Sequence, residues 1–410
     1  MITAINEISI PIPYSGKRAD LILNGKNLII TGGNGSGKTS FITSIYEFLK
    51  HGINSPNNND LSSLTQTLEV YRNNMVKGGR DDANYSFYEE ESNKIESRIS
   101  QLKSFKIATS ENENQKTRSL LRFHKALREA AINPPQSIPR LSALKKDNAH
   151  FSNDHDGDNF FENYLISLKT DQSYAISFDK DIKKSTRIQS WFDKIESDMR
   201  GLFEDKDLKL RFDSHDGKFY INQKNKDEFT FQTLSSGYSS ILRIYADLIM
   251  RVEMWELTPD SIEGIIFIDE IDAHLHVSLQ KQILRFFTNA FPKIQFIVTT
   301  HSPFVVTSVT DAVIYDLTTN DKVNDVSSYS YNVILEQLFG VLPISNVLSD
   351  KLEEIEGLSE NLNETNVDRL KKLIESIASS KNILDDETSA FVDSAKLKVV
   401  KFRKNENKGE

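Results

Sequence analysis

Residues Gly32 to Thr39 read GGNGSGKT and match the spacing G-x-x-x-x-G-K-[ST]. Glycines at this spacing let successive backbone N–H groups curl around an anion, and a lysine neutralises it. The hydroxyl beside the lysine offers itself to a divalent cation. The chemistry is triphosphate binding, with Gly32, Asn34, Gly35, Ser36, Gly37, Lys38, Thr39 and Ser40 as contacts and Thr39 as a magnesium ligand. A second constellation is GIIFIDE, Gly264 to Glu270. Asp269 would ligate magnesium, and Glu270 would take a proton from the attacking water. In IVTTHSP, His301 stands just past another apolar run, where it either contacts the γ-phosphate or attacking water or simply caps and packs.

These residues need a parallel sheet behind them. Residues 3–12 and 20–31 are expected as strands, the second running into the glycine cluster, and SFITSIYEFLK is expected as the following helix. GIIFID and IQFIVTT are short apolar runs alternating with helical patterns, which defines an α/β fold with ligands at the strands' carboxyl ends. Ile188, Trp191, Phe192, Ile195, Met199, Leu202 and Phe203 fall at helical spacing and form a core stripe. LKLRFDSHDGKFYINQ reads as a hairpin around Asp216-Gly217. From Leu61 to Ala131 the chain is polar and charged, with weak helical spacing and no strand signal. That stretch is read as a helical arm, either solvated or offered to a partner or DNA. INPPQSIPR (132–140) breaks any helix, because each proline removes a backbone donor.

TLSSGYSSILRI, 233–244, places Ser235, Ser236 and Gly237 at the start of a helix, where hydroxyls, N–H groups and the helix dipole suit an anion. A γ-phosphate already held by Lys38 and magnesium leaves little room for this turn within one subunit. It would cap the nucleotide of another subunit, or else be only the capped start of a core helix. With these motifs in order, the chain resembles the ABC-type ATPases, and within them the SMC, RecF and OLD-like branch. The resemblance covers residues 1–55 and 136–342 as the head, with 56–135 as a helical insertion and 343–410 as a helical, partly disordered tail. It implies an ABC-type P-loop head with a mixed, largely parallel sheet, and a head-to-tail dimer or higher homo-oligomer around ATP and Mg²⁺. Asp272 would lie in an interface loop. Ser236 and Tyr238 stand where transporter-type signatures carry Gly and Gln, and Gln136 is a weak candidate for the magnesium-contacting loop glutamine.

A finer resemblance runs from FENYLISLKTDQS through WFDKIESDMRGLFEDKDLKLRFD to TLSSGYSSILRI and FIDEIDAHLH. It is similar to stand-alone ATPases of anti-phage defence operons, of the Septu and retron-associated kind. That likeness implies an ATPase that senses or restrains a separate HNH-type nuclease, with a retron reverse transcriptase or nucleic acid as further partners. The roughly 68 residues after Leu342 carry no Asp-x-Asp pattern, so no built-in nuclease is expected. The rival readings are a DNA-repair ATPase of the SMC and RecF kind, a scaffold with little turnover, and a nuclease in its own right. Sustained heptads, expected of repair proteins of this branch, are absent from 61–131.

Composition narrows the setting. The net charge of −9 and a pI near 5.5 confine any nucleic-acid contact to local patches. One is the set Lys103, Lys106, Lys116, Arg118, Arg122, Lys125 and Arg128; another is the tail from Lys396, with Lys396, Lys398, Lys401, Arg403, Lys404 and Lys408. Each is either a phosphate-tracking surface for DNA or RNA or a solvated face. The chain has no cysteine and no apolar run of membrane-spanning length, so a soluble cytoplasmic protein with no membrane contact is expected.

Overall fold

The computed structural model describes residues 2–54, 61–80, 84–111, 119–126, 142, 156–324, 326, 329, 331–340, 345–378 and 386–406. The chain divides between Ile334 and Leu335 into two compact units.

The first unit begins with β1 (Ile2–Pro11), β2 (Arg18–Ile22) and β3 (Asn27–Thr31). The single strand expected over 20–31 is therefore two. Asn24 and Gly25, both at positive φ, turn the chain so that β2 and β3 enter different sheets. After α1 (Lys38–Asn54) come the helices α2 (Leu61–Gly78) and α3 (Tyr85–Ser104), then β4 (Lys106–Glu111) and β5 (Ser119–His124). These two strands correct the helical insertion expected over 56–135, because both pair with strands of the head. α2 buries Leu68 and α3 buries Ser92, so the hairpin shows little helical periodicity in its sequence.

Further along lie α4 (Phe161–Tyr174), α5 (Ile182–Phe203), β6 (Lys209–Asp213), β7 (Lys218–Asn222) and α6 (Ser236–Met254). β6 and β7 form the expected hairpin, closed by four residues rather than a two-residue Asp-Gly turn, with Gly217 at φ 62°. The side chain of Asp181 accepts the N–H of Lys184 and starts α5, whose stripe Ile188, Phe192, Ile195, Met199, Leu202 and Phe203 is buried, while Trp191 of the expected stripe is half-buried. The unit continues with β8 (Glu263–Ile268), α7 (Val277–Gln280), α8 (Ile283–Ala290), β9 (Ile294–Thr299), α9 (Pro303–Val306), β10 (Ala312–Asp316) and β11 (Asp321–Asn324).

The central sheet has the order β11-β10-β3-β9-β8-β5; β11 is antiparallel and the other five strands are parallel. An antiparallel sheet, β2-β1-β4, packs beside it through a core that includes Ile5, Ile8, Leu21, Phe41, Ile265 and Ile297. Buried Gln295 on β9 joins the two sheets: its Oε1 accepts the N–H of Ile5 at 2.7 Å, and its Nε2 donates to the carbonyls of Ile5 at 3.0 Å and Lys26 at 2.6 Å. The fold class is thus mixed α/β, and the parallel strands bring the ends of β3, β9, β8 and β5 to one edge.

The second unit contains α11 (Asn346–Glu360), α12 (Val367–Ala378) and α13 (Asp386–Glu406), with α10 (Tyr331–Gln337) spanning the division. Ile355, Leu370, Ile374, Ile377 and Val392 give it a core of its own. The expected head boundary at 342 therefore falls eight residues past the division. Lys396, Lys398, Lys401 and Arg403 are exposed along α13, and Arg403 pairs with Asp368 at 2.7 Å. Among the described residues, no helix is long and apolar enough to cross a membrane.

Candidate nucleotide site

The phosphate loop leaves β3 at Thr31 and enters α1 at Lys38, with Gly32, Gly35 and Gly37 at φ 139°, 77° and 88°. A side chain at Gly32 would be strained by that φ and would also put its Cβ 2.8 Å from Ser36 Oγ. Asn34, Gly35 and Thr39 are exposed, Ser40 is half-buried, and Lys38 is buried. The Lys38 ammonium donates to the carbonyls of Gly32 and Gly33, both at 2.9 Å, so it lies folded across its own loop. The β10–β11 turn braces the loop from one side. The Gly33 N–H donates to Thr318 Oγ1 at 2.9 Å, and Asp316 Oδ1 accepts the N–H groups of Thr318 and Thr319 at 2.6 and 3.0 Å. Nothing in the sequence pattern marked Thr318 as part of the site.

β8 delivers Asp269, which is buried, and Glu270, which is half-buried. Thr299 at the end of β9 holds both: its hydroxyl accepts the Glu270 N–H at 2.7 Å and donates to Asp269 Oδ1 at 2.6 Å. Glu270 has φ 47°, a left-handed conformation that costs a non-glycine residue of order 1–3 kcal/mol and recurs at functional sites. Asp272 Oδ1 accepts the hydroxyl of buried Thr300 at 2.6 Å, tying the loop after the acid pair to the end of β9. Sequence reading missed both threonines of IVTTHSP, although two hydroxyls beside the acid pair were a visible signal.

Electrostatics place the charged residues together. Burial pulls Lys38 below its ordinary value, while Glu270, Asp269, Asp316 and Asp272 pull it back up. His301 is lowered by burial and by the Lys38 charge, against Asp272, Glu270 and Asp269. The imidazole is therefore neutral near pH 7 and able to donate one hydrogen bond and accept another.

Ser235 takes the cap position of α6 with extended backbone, yet its side chain makes no capping hydrogen bond. Ser235 and Ser236 are exposed. Among the described residues, no hydrogen bond joins Ser235, Ser236 or Gly237 to the phosphate loop of the same chain. Gly237 is buried, and a Cβ there would sit 3.0 Å from the carbonyl oxygen of His274, so the turn rests on the loop that follows the acid pair. Tyr238 stacks on Phe203 at the end of α5, with ring centroids 4.2 Å apart and planes within 2°. Removing that stack with Tyr238→Ala is expected to cost about 1–3 kcal/mol of stability, and Tyr238→Phe should leave it unchanged, as thermal melts of both variants would show.

Two expectations need correction or lie beyond view. Arg122 belongs to no nucleic-acid face: it is largely buried, pairs with Asp156, and sits 3.3 Å from buried Asp247. Gln136 falls outside the described residues, as do the prolines around it.

A phosphate loop at the end of a parallel strand, with an acid pair one strand removed, defines a P-loop ATPase-type head. The chain belongs to the family described as "AAA domain, putative AbiEii toxin, Type IV TA system", which matches residues 28–307. It is 35% identical over 148 residues to "Retron Ec83 probable ATPase" of Escherichia coli, covering 34% of this chain and 27% of that protein. It is 34% identical over 128 residues to "Septu protein PtuA" of Bacillus thuringiensis, with 30% and 32% covered. It is also 42% identical over 93 residues to "Retron Vc95 probable ATPase" of Vibrio cholerae serotype O1 biovar El Tor, with 21% and 18% covered. These matches span less than a third of each relative's length. Among solved structures, an SMC head bound to the C-winged helix domain of ScpA is 12% identical with a TM-score of 0.36, covering 79% of this chain and 99% of that one. The fold class rests on the strand order and not on that superposition.

Proposed function

We propose that this chain is an ATPase whose heads close head to tail around ATP, and that it senses or restrains a partner nuclease in anti-phage defence. The observation that carries the enzymatic part is that parallel, adjacent β3, β9 and β8 bring Lys38, His301, Asp269 and Glu270 to one sheet edge, where Lys38 and His301 both feel the charges of the acid pair. Lys38 exchanges its two loop carbonyls for β- and γ-phosphate oxygens. Glu270 orients the attacking water and takes its proton. Neutral His301 hydrogen-bonds the γ-phosphate or that water. Thr39 and Asp269 would hold magnesium, which when bound neutralises charge on the phosphate oxygens. Among the described residues, no group of three or more His, Cys, Asp or Glu side chains is assembled for a metal. Magnesium takes one or two carboxylates and completes its shell with phosphate and water.

The exposed serines at 235 and 236, with no bond to their own phosphate loop, support their service to a neighbour's ATP. The defence role is supported by the similarity to retron and Septu proteins, and the nuclease it governs would be a separate HNH-type chain. Phosphate release by the purified chain, with ATP and magnesium, tests the activity. Lys38→Ala should weaken ATP binding by about 10- to 100-fold, the worth of a charge-assisted hydrogen bond, as read by equilibrium titration. Unchanged affinity would remove Lys38 from the site. DNA or RNA cleavage by this chain alone would overturn the division of labour.

A further inference from the structure

The turn at 235–237 opens α6 and the acid pair at 269–270 follows β8, and His124 of β5 lies against both segments. His124 is the last residue of β5 and pairs with Ile268 of β8, and its carbonyl oxygen accepts the N–H of Asp269 at 2.9 Å. Its ring Nε2 lies 3.6 Å from Asp247 Oδ2. Asp247 sits on α6, eleven residues beyond Ser236 and about 16 Å along the helix at 1.5 Å per residue. The same carboxylate is buried and accepts the N–H of Gly157 at 2.7 Å and the guanidinium of fully buried Arg251 at 3.1 and 3.2 Å. Arg122 approaches it at 3.3 Å.

A buried ion cluster of this kind is a poor source of stability, because desolvating the charges offsets their attraction. What it supplies is fixed geometry. The start of α6 also rests on the loop after the acid pair, through Gly237 against the His274 carbonyl. The helix therefore grips the acid-pair segment at its first turn and, through His124, from the neighbouring strand.

We infer that His124 and Asp247 are positioning residues that link phosphate capture at the turn of α6 to the placement of Asp269 and Glu270 in the same chain. An ATP held by the neighbouring subunit thereby influences this subunit's own hydrolysis. The link rests on the head-to-tail reading above. It acts through a rigid helix and the buried charged groups packed around Asp247, with His124 3.6 Å from that carboxylate, and such contacts modulate coupling by factors of a few to a few tens.

The test compares His124→Ala with His124→Gln, whose side-chain amide keeps a polar N–H group facing Asp247, in the full-length chain. The probes are ATP turnover, binding of a fluorescent ATP analogue, ATP-dependent association in a Glu270→Gln background, and thermal melting. Turnover by His124→Ala should fall about 3- to 30-fold while binding and association stay within about twofold, and His124→Gln should recover most of the loss. Wild-type turnover in His124→Ala overturns the link. So do parallel losses of binding, association and melting temperature in both variants, since those mark a packing role. A wild-type chain that neither hydrolyses nor associates with ATP would instead remove the proposed function, and the link with it.

Discussion

Glu270→Gln is expected to slow ATP hydrolysis by about 10² or more while ATP binding and ATP-dependent association persist. The side chain follows Asp269 on a left-handed residue whose N–H is held by Thr299, and glutamine keeps the same shape and the same backbone bond. Lys38 keeps its bonds to the carbonyls of Gly32 and Gly33, losing only the Glu270 charge that raises its pKa. What glutamine cannot do is accept a proton from water, so the loss falls on the chemical step. Single-turnover phosphate release, set beside equilibrium ATP binding, separates the two. Hydrolysis at the wild-type rate would mean that another group activates the water.

Ser236→Arg is the second large effect: ATP turnover should drop to background while the same chain still binds nucleotide through Lys38. Ser236 is exposed, and buried Gly237 behind it makes the packing contact with His274, so arginine at 236 projects outward and leaves the core intact. Its bulk and charge obstruct the surface where a neighbour's phosphate would seat. Mixing Ser236→Arg with Lys38→Ala chains builds heterodimers with one doubly damaged site and one intact site. Partial return of turnover is expected if a single site can fire. Where both sites must work together, rescue fails, and the ATP-dependent association of Ser236→Arg alone decides the matter. A variant that associates and hydrolyses like wild type reduces residues 235–237 to the start of a helix.

The phosphate loop was legible because its chemistry is contiguous: glycines, lysine and hydroxyl sit side by side, and the apolar run before them can only be a buried strand. The acid pair was legible for the same reason. β4 and β5 were not. KIATSE and SLLRFH are six-residue strands set among charged residues, and each becomes a strand only because β1 or β8 offers it a ladder. The Asn24-Gly25 dipeptide is a visible turn signal that the reading of one strand over 20–31 passed over, and only the assignment of its apolar flanks to two sheets leaves no local mark. Arg122 read as one charge in a basic cluster, since nothing nearby in sequence announces Asp247, 125 positions later.

The sequence by itself determined the class of chemistry and the elements that carry it, because a phosphate needs N–H groups and cations at fixed local spacing and a buried strand needs an unbroken apolar run. Only the tertiary structure decided which hydroxyls brace the acid pair, how Thr318 holds the phosphate loop, and that Tyr238 stacks on Phe203. It also decided that α6 reaches the acid-pair segment through Asp247 and His124. Those contacts join residues tens to hundreds of positions apart, and a long-range contact depends on where strands and helices come to rest rather than on the residues beside it in the chain.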